Sequence, residues 1–96
     1  MTAIYKTPGE KPEVIDIPNT LEALQDKVGG HIECLPISTD ACLICNEEGL
    51  LRGLPYNGVF LGRPIVGPVL VGGVQGEEFT DIPQDMRRLF GGCYRV

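Results

Sequence analysis

The sequence predicts an α+β fold: a small, mostly antiparallel sheet of about five strands, one helix packed on it, and a short C-terminal helix. Three observations predict it. Short β-rich runs are separated by proline and glycine turns. One well-capped amphipathic helix interrupts them. The chain has 96 residues, 43% of them hydrophobic and 22% charged, which suits one domain, 1–96, with a modest core. The element order reads β-β-α-β-β-loop-β-α.

AIYKT (3–7) and EVIDI (13–17) flank PGEKP (8–12). Pro8, Gly9 and Pro12 punctuate a turn, so the two runs predict an N-terminal hairpin with a connector longer than two residues. NTLEALQDKVGG (19–30) predicts the helix. Asn19 is the expected N-cap, with Glu22 three residues on completing a capping box. Leu21, Leu24 and Val28 share one face, and Gly29 is placed to end the helix in the left-handed conformation.

HIECLPI (31–37) reads as a strand. ACLICN (41–46) is almost wholly apolar, as a central strand would be. Residues 45–63 read CNEEGLLRGLPYNGVFLGR, and 46–63 are expected to form a long loop. PIVGPVLVGGV (64–74) is a β-rich run in which Pro68, unable to donate to a ladder, marks an edge, bulge or bend. TDIPQDMRRLFGG (80–92) predicts the second helix, with Asp81 as N-cap, Gln84 at the capping-box position and Pro83 in the first turn.

The net charge is −5, which argues against general nucleic-acid binding. Its distribution is uneven. Residues 1–51 hold three lysines and nine acids; residues 52–96 hold five arginines and four acids. An anion site would therefore draw on the C-terminal half, because a guanidinium fork suits phosphate or carboxylate. The plainer reading is five solvated arginines. Neither a signal peptide nor an apolar run long enough for a bilayer is visible, so a cytosolic protein without structural disulfides or membrane contact is expected.

Cys42 and Cys45 match the redox spacing C-x-x-C, but within a strand these positions face opposite sides. The same geometry splays His31/Cys34 and Cys42/Cys45 as zinc ligands, so no metal, no cofactor and no catalytic set is expected. Buried cysteines acting as small hydrophobes explain these residues more simply. The loop is richer. Asn46, Arg52, Tyr56, Asn57 and Arg63 combine two guanidinium groups, two amides and a ring, which together could grip an anionic, ring-containing ligand.

LEALQDKVGGHIECLPI, ACLICNEEGLLRGLPYN, GRPIVGPVLVGG and GEEFTDIPQD, in that order, resemble a family of small proteins of unknown function found in tailed phages, prophages and mobile elements of Gram-positive bacteria. The resemblance spans nearly the whole chain, and its most specific piece is the NEEG…GLPYN segment at 46–57. Many members carry a basic residue after that asparagine; here it is Gly58, so Arg52 or Arg63 would have to serve. By analogy with phage sponges, the resemblance implies a homo-oligomeric accessory protein of the host bacterial cytoplasm. Such a protein sequesters a nucleotide-like immune signal without cleaving it. The alternatives are an acidic protein–protein inhibitor of a host defence or nucleic-acid-handling protein, and an enzyme that degrades a nucleotide signal.

Overall fold

The computed structural model describes residues 1–60 and 62–84. Its elements are β1 (Thr2–Lys6), β2 (Glu13–Asp16), α1 (Leu21–Val28), β3 (Ile32–Ser38), β4 (Ala41–Asn46), β5 (Tyr56–Phe60), β6 (Arg63–Val66), β7 (Val69–Gln75) and β8 (Glu78–Thr80). This corrects the expected α+β architecture. The chain is mostly sheet: eight strands in two sheets, with one helix among the described residues. The expected C-terminal helix is not found there. Thr80 ends a strand, 81–83 are not helical, Gln84 alone of the described residues in that stretch is helical, and 85–96 lie outside the described residues.

The main sheet runs β2-β1-β7-β4-β3, all antiparallel, and β8 pairs with the far end of β7. The N-terminal hairpin forms as the turn residues predict. β4 is central, between β3 and β7, and all six of its residues are buried. Covering on both faces explains the unbroken apolar run. Ala41, Leu43 and Cys45 pack with Ile4, Val69, Val71, Ile65 and Ile82 on one face. Cys42 and Ile44 pack with Ala3, Leu70, Leu24 and Val28 on the other.

Helix α1 covers the second face. Burying Leu24 and Val28 contributes roughly 1.5–3 kcal/mol each, which an eight-residue helix needs because it is unstable alone. Its N-cap is Thr20, whose hydroxyl accepts from the Ala23 amide at 3.2 Å. Asn19, the expected cap, instead donates its amide to the Phe79 carbonyl at 2.8 Å. Two adjacent residues could cap equally well, and the arrival of β8 decides between them. Gly29 ends the helix with φ 83°, as expected.

The first face is covered by a hairpin that the sequence reading missed. The expected long loop contains β5, which pairs antiparallel with β6 as a separate two-stranded sheet. The run 64–74 is therefore two strands in two sheets. Gly67, at φ 78°, with Pro68 makes the switch. Gly73 permits another close approach: a Cβ there would collide with the main-chain oxygen of Asp81, where the chain leaves β8 and runs to Thr2 of β1.

Candidate functional site

The five loop residues separate into different tasks. Asn46 closes β4 and is buried. Its Nδ2 donates to the Val28 carbonyl at 3.0 Å, and its Oδ1 accepts from the Glu48 amide at 2.7 Å. One side chain thus satisfies an open carbonyl at the C-terminus of α1 and the turn after β4. Arg52 works beside it. Its Nη1 donates to the Gly29 carbonyl at 3.0 Å, and its Nη2 lies 3.5 Å from the Glu48 carboxylate. Both are clamps on the helix terminus, where a cation is also favoured by the helix dipole.

Asn57 lies elsewhere, between β1 and the hairpin. Its Nδ2 donates to the carbonyls of Lys6 and Gly67 at 3.0 and 2.7 Å. Its Oδ1 accepts from Lys6 Nζ at 2.6 Å. Tyr56 is 59% exposed on β5. The structure therefore does not gather the five into one pocket, and both asparagine amides are committed to backbone groups.

Arg63 is different. It is exposed at the start of β6, and among the described residues it makes no ion pair. It stands over two adjoining hollows between β3 and the hairpin, of about 330 and 250 Å³. Arg63, Leu35 and Ile65 are common to both. Leu43 and Phe60 extend the apolar floor of the smaller hollow, and Glu33 and Glu47 line the larger one with Arg63. Asn46 lines the larger hollow with Arg63, so these two of the five do meet. The larger hollow falls in the range of small-ligand sites, about 300–1,000 Å³, and the smaller lies just below it.

Sequence reasoning missed the floor and the rim. Leu50 and Leu51, also lining the larger hollow, are 82% and 89% exposed. Two adjacent leucines inside a turn were the legible signal. Nothing local distinguished Leu35 or Ile65 from ordinary core residues.

The two buried thiols of β4 are poor nucleophiles. Burial first, then the Cys34 thiol, pushes Cys42 up to about 12. Burial and then Glu33 push Cys45 up to about 11, with Arg63 opposing the rise. Cys42 and Cys45 lie in separate core clusters on opposite faces, as their spacing in a strand requires. Among the described residues no group of three or more His, Cys, Asp or Glu could hold a metal ion. No helix among them is long and apolar enough to cross a membrane.

Comparison with curated proteins gave no match, and comparison with solved structures gave none either. A family model does match, over residues 1–93, so the chain belongs to the DUF3846 family, a domain of unknown function.

Proposed function

We propose that the protein is a non-catalytic binding module that captures a small, anionic, ring-containing ligand in the hollows beneath Arg63. One observation carries this reading: an exposed guanidinium without an ion-pair partner among the described residues overhangs a floor of Leu35, Leu43 and Ile65. A flat ring would lie on that floor while the guanidinium holds a phosphate or carboxylate. Glu33 and Glu47, lining the same hollow as Arg63, favour a singly anionic ligand with hydrogen-bond donors over a polyanion. A nucleotide-like immune signal fits that description. In this reading the protein is a cytoplasmic, phage-type accessory protein, a homo-oligomer that sequesters the signal against host defence. The raised thiol pKa values favour capture over thiol-based turnover.

The test is titration calorimetry with a panel of cyclic and ADP-ribose-type nucleotides. Arg63→Ala should weaken binding at least about tenfold, the loss of one charge-assisted contact, while Arg52→Ala leaves affinity unchanged. Equal affinity in wild type and Arg63→Ala would sink the assignment.

A second reading has its own observation. Leu50 and Leu51 project from the rim with more than four fifths of their surface exposed. Such a pair favours a protein–protein inhibitor that docks this face on a host protein. A salt-sensitive complex lost on Leu51→Ser, with no nucleotide bound, would favour it.

A further inference from the structure

The outer edge of β3 ends the main sheet, and among the described residues no strand lies beyond it. Its free groups can be read from the ladder. The Glu47 amide donates to the His31 carbonyl at 2.8 Å, so 31 and 47 form a hydrogen-bonded antiparallel pair. The register Ile32↔Asn46, Glu33↔Cys45, Cys34↔Ile44 then turns the backbone groups of Glu33 and Leu35 toward β4. Those of Ile32, Cys34 and Pro36 point outward. Pro36 confirms the parity: its missing N–H falls on the outer side, where no ladder bond is lost. The edge thus offers donors at 32 and 34 and acceptors at 32, 34 and 36.

We propose that a second copy of this chain pairs antiparallel along β3, with the two-fold axis at Cys34. The pattern is self-complementary in that register. Cys34 exchanges both bonds with the partner's Cys34, and each Ile32 N–H meets the carbonyl of the other copy's Pro36. A register centred on Glu33 would also give four bonds, but it sets two carboxylates directly opposite, which is destabilising. Centring on Leu35 loses bonds to proline. The Cys34 register instead places Glu33 opposite the other copy's Leu35. Charge and the proline together therefore select both the occupant and the register. Leu50 and Leu51 line the same hollow as Glu33 and Leu35, so the apolar contact would continue beyond the strand edge. The result is one continuous sheet through both copies, with the Arg63 hollows beside the junction. This inference rests on the homo-oligomer part of the function proposed above and assigns its surface.

Cys34 is exposed and serves as the reporter. Hydrogen-bonded antiparallel pairs have Cα atoms about 5.5 Å apart, within the span of a disulfide. The experiment uses full-length Cys93→Ala protein. Its solution mass is measured by sedimentation velocity, and it is then oxidised with diamide. Two thiols give up two electrons and two protons to the diazene as the S–S bond forms. We expect a dimer that cross-links through Cys34, located by peptide mass mapping. Cys34→Ser should stay dimeric without cross-linking. Cys34→Pro removes a single backbone N–H, which points outward, so it should unfold cooperatively as a monomer. Should Cys34→Pro fail to fold, the mass of Cys34→Ser and the cross-link of the Cys93→Ala parent still decide. A monomer at every concentration overturns both the interface and the assembly. A dimer with no Cys34 cross-link, or one that survives Cys34→Pro, overturns this interface and leaves assembly standing. Nucleotide titration of the same samples reports ligand capture separately.

Discussion

Replacing Asn57 with alanine should be among the costliest single changes in the chain, and the cost should appear in stability before it appears in binding. The side chain is 7% exposed and fastens β1 to the β5–β6 hairpin. Truncation strands two carbonyls, of Lys6 and Gly67, and removes the shortest contact of the Lys6 ammonium, at 2.6 Å. Two neutral bonds at about 0.5–1.5 kcal/mol each and one charge-assisted bond at about 1.5–3 sum to a loss of about 3 kcal/mol or more. Lys6 Nζ keeps weaker contacts to the carbonyls of Asn57 and Thr7, at 3.3 and 3.5 Å, which holds the estimate to the lower end. A chain of this length has about 5–14 kcal/mol in total. In urea, with a slope of about 1–3 kcal/mol per molar, the midpoint should fall by about 1–3 M. Asn57→Asp should do no better, since a carboxylate keeps the lysine contact but turns two donors into repulsion. A loss under about 1 kcal/mol would refute the reasoning, because it would mean that water replaces all three bonds.

Asn46→Ala should cost about 2–3 kcal/mol by freeing the Val28 carbonyl and the Glu48 amide, whereas exposed Arg52→Ala should cost under about 1 kcal/mol; urea melts of both variants check the contrast. Gly73→Ala should destabilise severely, because its Cβ would meet the Asp81 main chain rather than a movable side chain; thermal unfolding reads this, and a variant as stable as wild type would contradict that close approach. Cys42 and Cys45 have folded pKa values raised to about 12 and about 11 from 9.0. Their contribution is therefore complete below pH 9 and is lost as pH rises toward 11–12. The urea midpoint should fall across that window, less steeply in Cys42→Ala, and a thiol reagent near neutral pH should label exposed Cys34 well before either.

Local signals were legible where one short stretch carried the whole cause. The 3.6-residue spacing of Leu21, Leu24 and Val28 and the glycine at 29 gave α1, although only Leu24 and Val28 are buried and Leu21 stays exposed. Proline and glycine turns gave the β1–β2 hairpin, and the unbroken apolar run gave β4 as the central strand. The hairpin β5–β6 was hidden because YNGVF and RPIV are short, contain glycine or proline, and are held by packing Ile65 against β4 and β7 rather than by a strong β pattern. β8 has three residues and exists only because β7 offers it an edge.

The site divided along the same line. The sequence alone determined that the polar residues of 46–63 were concentrated there, and that an anion site would need arginine. Whether an amide binds a ligand or a carbonyl depends on which backbone arrives beside it, and that is a long-range fact. Val28 reaches Asn46, and Lys6 and Gly67 reach Asn57, only after the sheet has closed. Tertiary structure therefore spent both asparagines and Arg52 on holding the fold. It left Arg63 over a hollow whose floor comes from strands far apart in sequence.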